Sequence, residues 1–315
     1  MKFNTREYFR LSIIYTLVAA FPPFLQLLIM PLIEGADRLC PVDFSQLSIT
    51  ESISTLSFTL VVYAMSNTIN RFYYDFMDDK KGYNRMVSSV LNSILFRGLI
   101  LIGIAVLFGN FIGSLFSQEE LQDFSKYGYA TIIIGINRAI NISVATLYRN
   151  EKKVFRFVLI NAGLGVLRTI GQLIALFYFD MSFIGYVYGT CIGTGITSLS
   201  LLIYLYYHCG FKYDFKLMKS MNSFARPLFQ YNIVSWGVLF ADRFFLEGSP
   251  VELGIYDTAL RFALGFQMIV QGLIGAAQPE IFRMMKVGIR EKEEEIKRIS
   301  NIMLAQTQVI IALII

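Results

Sequence analysis

Apolar residues fall along this chain in blocks of about 20, and short polar or charged loops separate the blocks. A helix needs about 20 residues to cross the hydrocarbon of a bilayer, so each block reads as a membrane-spanning helix. The pattern predicts spans at roughly 11–33, 46–70, 87–108, 126–148, 155–179, 183–207, 224–245 and 251–283, with a ninth beginning near 300. Most blocks lack the narrow apolar stripe of a soluble amphipathic helix. Pro22, Pro23 and Pro31 in the first span and Pro279 in the eighth predict kinks. Gly185, Gly189 and Gly193 share one face of the sixth span and predict close approach of another helix. Gly163 and Gly165, and Gly265, Gly272 and Gly275, suggest the same for the fifth and eighth. The charged run at 291–298 reads as a short solvated connector helix.

The loops alternate in charge. The N-terminus (Lys2, Arg6, Arg10) is basic, and so are the loops carrying Arg71, Lys80, Lys81 and Arg85, then Arg149, Lys152, Lys153 and Arg156. Lys212, Lys216 and Lys219, and the cluster from Arg283 to Arg298, continue the series. The intervening loops at 34–45, 109–125, 180–182 and 246–250 are poor in Lys and Arg. Every basic loop therefore falls on one side, and the positive-inside rule places the N-terminus in the cytoplasm.

Composition agrees, at 55% hydrophobic and only 16% charged over 315 residues. The net charge of +5 is explained by the basic loops, and no nucleic-acid partner is called for. The N-terminal run resembles a signal peptide, but apolar residues continue from Phe24 to Ile33, so it reads as a retained first span. Cys40, Cys191, Cys209 and the single histidine, His208, are scattered. No metal, haem or other cofactor is expected.

The chain also echoes itself. Pro41-Val42-Asp43-Phe44-Ser45 follows the loop after the first span, and Pro250-Val251-Glu252-Leu253-Gly254 follows the loop after the seventh, about 209 residues on. A match in register with the hydropathy predicts two similar halves. The expected organisation is an all-α polytopic membrane protein of two pseudo-twofold-related six-helix bundles. Residues 1–210 would form the first bundle, and 211–315 would begin the second and stop in its third helix. The chain is thus expected to be a fragment of a longer one.

Four arginines lie near the middle of predicted spans: Arg97, Arg138, Arg168 and Arg261. An arginine facing lipid at that depth costs about 2.5–3.5 kcal/mol on insertion scales, so such residues normally face a bundle interior or a wet cavity. Their helix faces carry further polar groups: Ser89 and Ser93 with Arg97, Thr131 and Asn141 with Arg138, and Asn161 and Gln172 with Arg168. Asp257 stands one turn before Arg261, and Gln267, Gln271 and Gln278 line another face of that helix. No acidic residue is expected at mid-span, because Glu51, Asp242 and Asp257 read as lying near span ends. An arginine-rich interior attracts an anion, and the planar guanidinium fork suits phosphate. The alternative is that each arginine only ties helices together. No Ser/His/Asp set, Gly-rich phosphate loop or metal motif is present, so the chain is not read as an enzyme.

The segment from Asp242-Arg243-Phe244-Phe245-Leu246 to Glu252-Leu253-Gly254-Ile255-Tyr256 resembles the seventh-to-eighth helix junction of polysaccharide exporters. These are lipid-linked O-antigen repeat-unit flippases in the multidrug/oligosaccharidyl-lipid/polysaccharide flippase superfamily. Met30-Pro31-Leu32 and Asn70-Arg71-Phe72-Tyr73-Tyr74 resemble the same family. Where members carry a Gly-x-Glu-x-Tyr-Gly-like loop, this chain has Ile33 to Asp43 with Cys40. The resemblance implies a flippase that moves polyprenyl-pyrophosphate-linked oligosaccharide across the bacterial cytoplasmic membrane by alternating access. Arg97, Arg138, Arg168 and Arg261 would hold the pyrophosphate, and Asn141, Gln172, Gln267 and Gln271 would contact sugar hydroxyls. Asp242, Arg243, Glu252 and Tyr256 would form a gate motif. Membrane lipids, a polysaccharide polymerase and a chain-length regulator are the implied partners. A cation-coupled multidrug exporter of the same superfamily is the alternative. A membrane polysaccharide polymerase or glycosyltransferase is a further one, though the large loop with paired acids that it would need is absent.

Overall fold

The computed structural model of the chain describes residues 5–35, 38–179, 182–261 and 293–314, together with Ile281. The described residues are almost entirely helical. In chain order the helices are α1 (Thr5–Ile33), α2 (Pro41–Val62), α3 (Met65–Phe76), α4 (Lys80–Gly113), α5 (Glu119–Gln122), α6 (Phe124–Asn150), α7 (Val154–Tyr178), α8 (Phe183–Cys209) and α9 (Phe215–Leu246). They are followed by α10 (residues 250–261) and α11 (Glu293–Ile314). Six segments are long and apolar enough to cross a membrane: Ile13–Ile33, Pro41–Phe76, Lys80–Gly113, Phe124–Asn150, Val154–Tyr178 and Phe183–Cys209. The all-helical, multi-span architecture expected from the sequence is the one observed. Helix α9 is equally long but more polar, with Arg226, Gln230, Asn232, Asp242 and Arg243 along it. The charged run at 291–298 differs from expectation. Instead of a separate connector, it supplies the first turns of α11 from Glu293 onward, where Lys297 pairs with Glu293 at 2.7 Å.

Local chemistry fixes the helix starts. Cys40 is extended, Pro41 opens α2, and Asp43 Oδ2 accepts the Cys40 N–H at 2.9 Å. Asp43 Oδ1 also accepts the Phe183 N–H at 3.3 Å, so one carboxylate anchors both α2 and α8. Asp214 caps α9 by accepting the Leu217 N–H at 3.0 Å. The second span breaks at a point with no Gly or Pro to mark it. Tyr63 and Ala64 are both left-handed, with φ of 47° and 55°, a conformation that costs about 1–2 kcal/mol for each L-residue. The helical assignment of α1, in contrast, runs through Pro22, Pro23 and Pro31 without interruption.

Helix α6 is the centre of the bundle, packed against α2, α3, α4, α7 and α8. Helix α1 lies on α7, and α7 and α8 form the most extensive helix pair. The glycine face on α8 explains that intimacy. A Cβ on Gly189 would fall 2.3 Å from the Gly171 carbonyl oxygen, and one on Gly193 would fall 2.3 Å from that of Leu167. Helix α9 docks on α2, α3 and α4 and brings α10 against the start of α2.

Candidate functional site

The charged residues of the interior can be ordered by depth. At 1.5 Å per residue, Glu51 and Arg261 lie about 15 Å along α2 and α10 from their first residues, and Arg168 about 15 Å from the end of α7. Arg138 lies about 21 Å along α6. All four count from the end of the bundle that loop charge assigns to the outside, so they sit near the middle of a roughly 30 Å hydrocarbon layer. This corrects the placement of Glu51 near a span end; Asp257 is two turns into α10, as expected, yet fully buried. Helix α2 begins at Pro41, ahead of its apolar block, which sets Glu51 deeper than the hydropathy suggests.

Asp257 is the hub. Its side chain is fully buried and accepts from Ser48 Oγ at 2.8 Å, from Arg243 Nη2 at 3.0 Å and from Arg261 Nε at 2.7 Å. Arg243 is itself 2% exposed. Its Nη1 reaches Ser52 Oγ at 3.4 Å and the Ser48 carbonyl at 3.5 Å, and its guanidinium lies 4.5 Å from the Phe240 ring centre. Arg261 Nη2 continues to Glu51 Oε2 at 3.5 Å. Ser48, Glu51 and Ser52 occupy one face of α2 at i, i+3 and i+4, and the links they make join α2 to α9 and α10. Trp236 Nε1 adds a hydrogen bond from α9 to the Ser52 carbonyl at 3.0 Å.

Glu51 is surrounded electrostatically by Arg261, Arg243, Arg168 and Arg138, so two carboxylates, Glu51 and Asp257, face four guanidiniums. The excess positive charge rests on Arg138 and Arg168. Arg138 reaches Thr55 Oγ1 at 3.3 Å and lies over the Phe58 ring at 4.9 Å. Arg168 Nε is buried without a hydrogen-bond partner among the described residues. These two are the guanidiniums with most donor capacity left for a ligand.

The other expected site residues are placed differently. Arg97 has partners of its own: it donates to Asn222 Oδ1 at 2.8 Å, covers the Tyr63 ring at 4.5 Å and reaches the Val61 carbonyl at the break between α2 and α3. Gln172 is fully buried in a side-chain network of α1, α7 and α8, donating to Thr190 Oγ1 at 2.8 Å and accepting from Gln26 at 3.1 Å. Asn141 is buried and donates to the Asn137 carbonyl at 2.8 Å. Asp242 accepts from the Tyr256 hydroxyl, while Glu252 is exposed on the first turn of α10. Gln267, Gln271, Gln278 and Pro279 lie outside the described residues. Among the described residues, no cluster of His, Cys, Asp or Glu could hold a metal ion.

A second tie lies at the loops. Glu247, between α9 and α10, is 5% exposed and accepts the Ser117 N–H at 3.0 Å and the Gln118 N–H at 2.8 Å. Gln118 Nε2 in turn donates to Ser45 Oγ at 2.9 Å and to the Glu247 carbonyl at 3.1 Å. Sequence reasoning missed this clasp, Ser48, Ser52 and the inward roles of both acids. The one signal pointing to them was the Pro41/Pro250 echo, because Ser48 and Asp257 stand 209 residues apart, the spacing of that echo.

No protein-family model matches the chain, and no curated protein does. Solved structures do match, and several of them are MATE transporters. A MATE in complex with Br-NRF is 18% identical, with a TM-score of 0.61, covering 85% of this chain and 64% of that one. The multidrug transporter DinF-BH is 16% identical, with a TM-score of 0.67, covering 95% and 70%. A mutant of the Vibrio cholerae MATE transporter VcmN is 16% identical, with a TM-score of 0.66, covering 98% and 72%. The likeness is one of fold, and this chain spans from 64% to 72% of the length of these three structures.

Proposed function

We propose that the chain serves as a multi-pass membrane exporter that works by alternating access on amphipathic cargo carrying an anionic group. The observation that carries this reading is the charge imbalance at mid-membrane depth, two carboxylates against four guanidiniums. Arg138, Arg168 and Arg261 are the cargo-facing residues in it. The fold supports a transporter over an enzyme, since the solved structures it resembles are transporters. The loop charges support a cytoplasmic N-terminus.

The comparisons support a multidrug exporter over a flippase for lipid-linked sugar, because the matched structures are MATE transporters. Glu51 and Asp257 also supply interior carboxylates of the kind cation coupling requires. One specific observation favours the flippase: the unpaired Arg168 Nε and the spare donors of Arg138 suit a pyrophosphate head group better than a cationic drug. In that case the polymerase and chain-length regulator would be partners. Proteoliposomes of the full-length protein separate the readings. One arm follows a fluorescent polyprenyl-pyrophosphate saccharide with a membrane-impermeant quencher, and the other follows efflux of amphipathic dyes. Transport in either arm that collapses in Arg138→Ala/Arg168→Ala, with folding retained, assigns the cargo and the site together. Transport that survives the double substitution removes those arginines from the site, and movement of neither cargo refutes the exporter.

A further inference from the structure

We infer that Arg261 is shared between a latch and the cargo: it holds the two parts of the chain together through Asp257 and Glu51, and a phosphate or pyrophosphate group that reaches mid-membrane takes it over and releases the latch. This inference rests on the anion-site reading above.

The two ends of the network differ in character. Asp257 and Arg243 are buried at 0% and 2% exposure and close to each other. Nothing can approach them without parting α2 from α10. Arg261 is 19% exposed and Glu51 is 43% exposed, and their 3.5 Å contact is much longer than the 2.7 Å bond from Arg261 Nε to Asp257. The guanidinium therefore has its Nε edge fixed in the latch and its terminal edge loosely held by one carboxylate. A phosphate group offers that terminal edge two parallel hydrogen bonds and more negative charge than Glu51. It also meets Arg138 and Arg168, which act on the same region of α2. Drawing Arg261 toward the anion lengthens its bond to Asp257, leaving Ser48 and Arg243 to hold the hub. The underlying contact is small: Gly254 is seated against the Pro41 backbone, next to the fully buried Leu253. Occupancy of the anion site is thereby converted into separation at the end assigned to the outside.

The test places spin labels at Val42→Cys and Val251→Cys, exposed positions on the first turns of α2 and α10. The full-length protein is reconstituted in nanodiscs, with Cys40, Cys191 and Cys209 replaced by serine. Double electron–electron resonance is expected to give one short distance without ligand and a second, longer one as inorganic pyrophosphate is added. Glu51→Gln removes the competing carboxylate and should bring the midpoint to roughly two- to fivefold lower pyrophosphate, the scale of one partly exposed ion pair. Arg261→Lys keeps the charge but loses the fork and should abolish the response. Farnesyl pyrophosphate opening the pair where inorganic pyrophosphate does not would assign a lipid-borne anion, and opening by both a free one. Calorimetric binding of pyrophosphate with no change in distance overturns the latch and leaves the anion site standing. A response retained in Arg261→Lys overturns Arg261 as the shared residue. Absence of binding of either ligand overturns both proposals.

Discussion

Removing the hub carboxylate with Asp257→Ala isolates the worth of the buried charge network. The substitution takes away the acceptor of three donors, but the three losses are unequal. Arg261 is partly exposed and keeps Glu51 at 3.5 Å. Ser48 loses one hydrogen bond to a charged acceptor, worth about 1.5–3 kcal/mol when both partners are buried but less here, because its hydroxyl can turn to a helix carbonyl. Arg243 fares worst: at 2% exposure it keeps only the 3.4 Å and 3.5 Å contacts to Ser52 and Ser48 and the face of Phe240. A buried pair broken from one side costs about 3–5 kcal/mol, because the other charge is left without compensation. The expected loss is therefore about 3–5 kcal/mol, most of it from Arg243. Replacing both partners, Arg243→Met with Asp257→Leu, removes the stranded charge and should return stability to within about 1 kcal/mol of the parent or above it. Unfolding of the purified protein in lipid nanodiscs, followed by steric trapping at equilibrium, reads both values. A single variant as stable as the parent, or a double variant no better than the single one, refutes the reasoning.

Two further substitutions probe the same junction from its other contacts. Gly254→Val introduces a Cβ that would lie 2.0 Å from the Pro41 carbonyl oxygen, against rigid backbone, so α10 cannot seat; the short distance between spin labels at Val42→Cys and Val251→Cys should be lost. Glu247→Gln keeps one acceptor for the Ser117 and Gln118 N–H groups but removes the charge. It should cost about 1–2 kcal/mol, half or more of a charged hydrogen bond, measured as faster proteolysis at the 114–118 loop.

Hydropathy located the spans because a hydrocarbon layer demands apolar blocks of a set length, but it does not mark where helices begin. The second span was expected from 46 and begins at Pro41. Its first turns carry Asp43 and Ser45, which read as loop. They are buried all the same: Asp43 caps two helices, and Ser45 is held by Gln118. The break at Tyr63 and Ala64 was illegible for the opposite reason. It contains neither Gly nor Pro, and it is stabilised from elsewhere in the chain, by Arg97 over the Tyr63 ring and by Phe229 stacked on it at 4.3 Å. In the site, Arg138, Arg168 and Arg261 were legible because a guanidinium inside an apolar block needs explaining. Glu51 and Asp257 were not, since an acid within two turns of a loop looks like a span end until its partner from the other part of the chain is seen.

The Ser48–Asp257 contact carries the expectation of two related halves further. Residues at equivalent positions of a twofold repeat touch each other only where the axis passes, and there a charged residue in both copies would face itself. Serine in one copy and aspartate in the other avoids that repulsion, and the hydroxyl donates where a second carboxylate could not. Ser48→Asp should therefore be destructive although both residues are small and polar: it sets two carboxylates about 3 Å apart, where one must take up a proton or the helices must part. The exchange Ser48→Asp/Asp257→Ser keeps a single carboxylate on the axis, still within reach of Arg243, whose Nη1 already contacts the Ser48 carbonyl. The exchange should restore most of the short 42–251 spin-label distance lost in Ser48→Asp. Equal distance distributions in the single and exchanged variants would show that the two positions do not oppose each other, and the axis would have to lie elsewhere.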